Sequence, residues 1–230
     1  MPNSCTESNT ARSYKPITEL EAQLDDYHTG LQNSLDDPEL QSRAATVGYD
    51  ADALQHGWDL YTDARQKHDQ QKVEYGEQYF ASQEEQKLTE AFHTTYIRHV
   101  KLARLAFSKD AAALRTLGLL GRRRGSLHGL MDQGYQFYNN ILANDELKTG
   151  IARFGVSEAD LTAAKAQLDA LKEAAAAQQK EMAEAQEATR IRDEAVDAMD
   201  EWYSTYKQAM RIACEDAPQL LEKLGITVRS

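Results

Sequence analysis

The sequence predicts an all-α fold, an elongated and mostly antiparallel helical bundle, and three observations carry that prediction. The first is composition. Ala, Gln, Glu, Leu and Lys are abundant, β-branched residues are few, and only 4 of the 230 residues are Pro, a bias toward helix formers. The second is a periodic seam. From Leu161 every seventh residue (Leu168, Ala175, Met182) interleaves with a second set (Ala164, Leu171, Ala185, Met199) in steps of three and four over residues 157–217. Such an a/d pattern, held for about eight heptads, requires a long helix lying against other helices as in a coiled coil. The third is an absence of breakers: no Pro or Gly lies between Gly155 and Pro218, so nothing covalent bends that helix.

The elements follow in order. Residues 1–15 are polar and irregular, a disordered N-terminal tail, and residues 16–230 are expected to form one elongated bundle domain. Thr18 and Glu21 make a capping box for a first helix with Leu20, Leu24, Tyr27 and Leu31 at helical spacing. Asp37-Pro38 interrupts it, with Asp37 as cap and Pro38 as first residue of a new helix. Asp50 caps the first long helix, about residues 50–110. Leu54, Trp58, Tyr61, Arg65, His68, Tyr75, Tyr79 and Phe80 mark the inner stripe of its first half; Leu88, Phe92, Tyr96 and His99 mark that of the second. The stripe drifts near Gly76, so a hinge over residues 76–83 is the alternative to one straight helix.

Asp110 turns the chain into a short helix over 111–120 that stops at Gly121. Ser126 caps the next, with Leu130, Met131, Phe137, Tyr138 and Ile141 on one side. Asn144-Asp145 breaks it, and Leu147, Ile151 and Phe154 add a turn or two closed by Gly155. Ser157 and Asp160 cap the second long helix, 157–217. Pro218 ends it and starts a short helix over 219–224. The connection through 111–155 is read as leaving the two long helices parallel, with the broken shorter helices of 17–47 and 111–154 in the antiparallel positions.

A formal net charge of −11 disfavours nucleic acid and anionic membranes as partners. No run of about 18 apolar residues is present to span a bilayer, and the start MPNSCTESNTARSYKP has no apolar signal region. Cys5 and Cys214 stand at opposite ends of the chain, which fits a reducing compartment, and a cytoplasmic location is expected.

Few residues carry chemistry. Arg122, Arg123 and Arg124 stand between two glycines ahead of the Ser126 helix; they are candidates for an anion or partner contact, weighed against pairing with acidic groups of the same fold. Gln178, Thr189 and Arg192 interrupt the seam and form a candidate polar layer, whose simplest role is to fix register. Glu90-x-x-His93 has the spacing of carboxylate-bridged di-metal bundles, but no second copy accompanies it. His68, His93 and His99, with nearby tyrosines, give the alternative reading of a bundle that binds a ligand or metal inside. No catalytic, cofactor-binding or metal residue is assigned. Trp202, Tyr203, Leu220, Leu221 and Leu224 form a candidate interface, because so much apolar surface at a helix end must be covered by the tail folding back or by another subunit.

Three stretches carry a resemblance: the joint Leu119-Leu120-Gly121-Arg-Arg-Arg-Gly-Ser126, the turn Ala152-Arg153-Phe154-Gly155-Val156, and the ending from Pro218 to Ile226. With Trp202 they resemble an uncharacterised family of bacterial long-helix bundle proteins over residues 90–230. The resemblance implies a bacterial source and a long-helix bundle and brings no activity or cofactor. The function expected is that of a structural or protein-interaction bundle, not an enzyme, whose partner is protein and which associates with itself as a homo-oligomer.

Overall fold

The computed structural model describes residues 17–121 and 125–226, with side chains from Glu19 onward. Of these residues 84 % are helical and none lies in a strand. The helices are α1 (Ile17–Asp36), α2 (Pro38–Thr46), α3 (Ala51–Ala106), α4 (Ala111–Thr116), α5 (Leu127–Leu142), α6 (Asp145–Ala152), α7 (Glu158–Ala213) and α8 (Gln219–Glu222). The N-terminal tail assigned to residues 1–15 lies outside the described residues.

Local chemistry sets most boundaries. The Asp37 carboxylate accepts from the Glu39 and Leu40 amides, with Pro38 at the first position of α2. Asp50 takes the Ala53 amide at 3.0 Å, Asp110 that of Ala113, Ser126 that of Gly129, and Asn144 that of Leu147. At α7, Ser157 and Asp160 form a reciprocal box: the Asp160 amide donates to Ser157 Oγ at 3.1 Å and the Ser157 amide to Asp160 Oδ2 at 2.8 Å. The expected capping pair Thr18 and Glu21 falls where the described residues begin, and the side chain of Thr18 lies outside them. α3 runs through Gly76 without a break, so the hinge over 76–83 does not form. One glycine in a 56-residue helix costs about 1 kcal/mol, too little to break it.

The chain divides into two compact units: Lys72–Glu187, and the flanking segments up to Gln71 and from Ala188. Each unit has its own apolar cluster. Parts of α3 and α7 serve in both, while the third helix is α1 in one and α5 in the other.

In the unit made of the two chain ends, α1 opposes α3: Glu21 lies 3.8 Å from His68, Asp25 3.9 Å from Arg65, and His28 packs on Trp58 and Tyr61. The same helix runs alongside α7, with Tyr27 donating to Asp200 at 2.7 Å and Tyr206 to Ser34 at 2.6 Å. In the Lys72–Glu187 unit, Glu74 lies beside Glu181 and Glu184, whereas Phe92 and Leu168 meet at Gly134 of α5. Residue numbers rise on α3 as they fall on α7, so the two helices are antiparallel. This corrects the parallel arrangement expected from sequence. The reason is where α5 starts: Ser126 and Leu127 lie beside Thr89 and His93, Gly134 beside Phe92 and Tyr138 beside His99, so α5 runs parallel to α3.

Candidate interaction surface

Among the buried polar side chains, His99 pairs with a tyrosine. His99 Nδ1 lies 3.0 Å from the Tyr138 hydroxyl. Burial holds the imidazole pKa below its ordinary value, with Arg98 adding to the effect and Asp160 opposing it. Burial also raises the Tyr138 hydroxyl, assisted by Tyr96. His68 is fully buried with Glu21 nearby, whereas His93 is exposed. His68 belongs to one unit and His93 and His99 to the other. His93 and His99 are six residues apart on one helix, one exposed and one buried. Glu90 is exposed like His93, and the Glu-x-x-His spacing points outward rather than into a bundle interior.

Among the described residues, Glu74, Glu181 and Glu184 bring carboxylate oxygens within 4.8 Å of one another. Lys180 supplies countercharge there, 2.8 Å from Glu184 and 3.4 Å from Glu181. A cleft of about 370 Å³ opens between Thr89, His93, Tyr96 and the start of α5 at Ser126 and Leu127. The arginines Arg122, Arg123 and Arg124 lie outside the described residues.

The polar seam residues separate. Arg192 is buried and its guanidinium donates twice to Asp193 Oδ1, at 2.9 and 2.5 Å. Thr189 shares its unit and is half-buried, while Gln178 stands in the other unit.

The tail folds back, one of the two covers expected for it. Leu220, Leu221, Leu224 and Ile226 are buried in the same cluster as Tyr203, and Trp202 is half-buried, stacked on Tyr206 with ring centroids 5.3 Å apart. Polar ties hold the tail down: Tyr203 donates to the Leu224 carbonyl at 3.2 Å, Asn33 to the Lys223 carbonyl at 2.5 Å, and Lys223 lies 2.6 Å from Asp37. The surface expected as an interface is the inner wall of its own unit, because the short α8 folds back onto α1 and α7.

The exposed apolar surface lies elsewhere. Val73, Tyr75, Tyr79 and Phe80 of α3 are exposed, with Met182 of α7. No residue of α3 between Lys72 and Ala91 is buried, and on α7 only Ala175 and Ala185 are buried over 172–187. Here the two helices approach through Glu74 of α3 and Glu181 and Glu184 of α7. Tyr75, Tyr79 and Phe80 were assigned by spacing to the inner stripe; instead they sit off it. The half-buried residues Glu74, Gln78, Ala81, Ser82 and Glu85 line the side toward α7. At 100° per residue, Phe80 points almost directly away. Aromatic identity masked a polar seam.

No family model, curated protein or solved structure matches the chain. The resemblance over residues 90–230 finds no counterpart in those comparisons, and the site rests on its geometry. Among the described residues, no helix is long and apolar enough to cross a membrane.

Proposed function

We propose that this chain is a non-catalytic helical bundle that serves as a protein-interaction module in the cytoplasm. The observation that carries the reading is the exposed aromatic pair on α3, Tyr79 and Phe80, whose ring centroids lie 6.2 Å apart on a stretch of the helix with no buried residue. Large apolar side chains gathered on one exposed surface mark contacts far more often than solitary ones do. The described interior supplies a complementary argument. Its tyrosines bond to Asp200, Ser34 and His99, and its cysteine, Cys214, is buried with its thiol pKa pushed up by burial, the reverse of an activated nucleophile. The tail that suggested self-association is engaged within its own unit, which moves the expected contact to α3 and to other chains.

The test is site-specific photocrosslinking in cells of the source organism, with a photoreactive phenylalanine analogue at Tyr79 and, as control, at the exposed Asp52. A discrete protein adduct from position 79 and none from position 52 is expected. Adducts from neither position, in cells that express both proteins folded, would overturn the reading.

A further inference from the structure

We propose that the solvent face of α3 around Gly76 docks a cationic amphipathic helix of another protein, an inference that rests on the interaction-module reading. The face has a defined relief. Val73, Gly76 and Phe80 follow one another at steps of three and four, and so share one line along the helix. A side chain built at Gly76 would meet no atom within 4 Å, leaving an open notch between Val73 and Phe80. Tyr79 packs against Phe80 with ring centroids 6.2 Å apart, and a shallow depression bordered by Gln83, Glu84 and Lys87 continues beyond Phe80. A knob from a visiting helix fits such a notch, the helix-in-groove mode of recognition.

The extent of the surface bears on the occupant. Tyr79 and Phe80 are 60 and 70 % exposed; at about 200 Å² per ring they present about 260 Å². A second copy would match this with an equal patch, for about 520 Å² in total, short of the ~1,200 Å² of a stable interface. Charge argues the same way. Residues 72–90 and 172–187 carry nine Glu against four Lys. A second copy brings the same excess, and so would nucleic acid or an anionic membrane. A helix with Leu or Phe on one side and Lys or Arg along its flanks answers both features. Glu77 and Glu84 stand four and eleven residues beyond Val73, on the same side of α3 as the notch, within reach of those flanks. Glu84 is already 3.3 Å from Lys87, so Glu77 is the better partner for an incoming cation.

The experiment uses the full-length chain and a fluorescein-labelled synthetic 18-residue Leu/Lys amphipathic helix, read by anisotropy. A Leu/Glu peptide with the same apolar face serves as control. Saturable one-to-one binding of the Leu/Lys peptide is expected, weakened at least tenfold in the double variant Tyr79→Ser, Phe80→Ser and absent for the Leu/Glu peptide. Both residues are exposed, and an unchanged melting temperature verifies that the variant folds. Equal affinity for wild type and variant would reduce the effect to bulk charge and overturn the proposal. Equal binding of the two peptides would remove the cationic requirement. A wild-type dimer by light scattering that becomes monomeric on Phe80→Ser would make the occupant a second copy. If the peptide fails on every count while position 79 still crosslinks to a protein in cells, the docking chemistry falls and the interaction module stands.

Discussion

Val196 is buried in the cluster of the unit formed by the chain ends, while Gln179 is exposed on the same helix. Val196→Asp places a charge among apolar side chains without a partner, and a loss of about 3 kcal/mol or more is expected. Gln179→Asp should cost under ~0.5 kcal/mol, as surface changes do. Urea unfolding of the two variants checks the pair. Glycines separate in the same manner. A side chain at Gly57 would run into the Trp202 ring, so Gly57→Ala should destabilise by about 1–3 kcal/mol through overpacking. Gly76→Ala meets only open space and should stabilise by up to ~1 kcal/mol from helix propensity; melting shifts of the same sign would refute the contrast. Acid sensitivity follows from His99. Its pKa is depressed in the fold, so the unfolded chain takes up the proton first. Stability is then fully present above the ordinary value near 6.5 and drains as pH falls toward the folded value. Unfolding free energies between pH 8 and 5 should show this slope, reduced in His99→Gln; identical slopes would exclude the imidazole. At this scale the sequence was informative wherever a rule is local. Asp37, Asp50, Asp110, Ser126 and Ser157 cap the helices that their spacing announced. Tyr79 and Phe80 defeated the reading because an aromatic ring has the same hydrophobicity on either side of a helix.

Among the elements, α8 makes the clearest demand. It is four residues long and has no stability alone, yet Leu220, Leu221 and Leu224 are buried with Tyr203. Truncation after Pro218 should lower the melting temperature substantially, with no change of mass by light scattering. A shift from oligomer to stable monomer would instead restore the tail as an interface. α3 offers a second test along its length. Residues 73–90 have no buried side chain, whereas Phe92, Tyr96, Val100 and Ala103 are buried one after another. Amides of 73–90 should exchange with deuterium faster than those of 92–103, since protection follows packing. The two long helices were legible from periodicity and the absence of breakers. Their antiparallel pairing was not, because it depends on where α5 starts along α3, which neither hydrophobic period nor a cap signals.

For the molecule as a whole, the decisive fact is that there are two apolar clusters. The seam of α7 reads as continuous, and continuity in a heptad pattern does not reveal where the third helix changes from α1 to α5. The consequence is measurable with Val196→Asp. Hydrogen exchange should accelerate at Leu24, Leu31 and Tyr203, in the cluster that holds residue 196, and leave Phe137, Tyr138 and Ile141 of α5 protected. Uniform loss of protection would mean that the clusters unfold as one.

The nesting of one unit inside the other also orders events during synthesis. The inner unit, Lys72–Glu187, is continuous in sequence, and its ties span short loops: His99 to Tyr138 is 39 residues, Tyr135 to Asp169 is 34. The outer unit joins Ser34 to Tyr206 across 172 residues and Asn33 to Lys223 across 190. Chain closure over the longer spans is entropically costlier and slower. At ~5–20 residues per second of translation, α1 and α2 leave the ribosome well before the strand of chain they must embrace exists. The first helices made are therefore among the last to be fully enclosed, and Leu24, Tyr27 and Leu31 wait for the α7 side of their cover until its final segment is released.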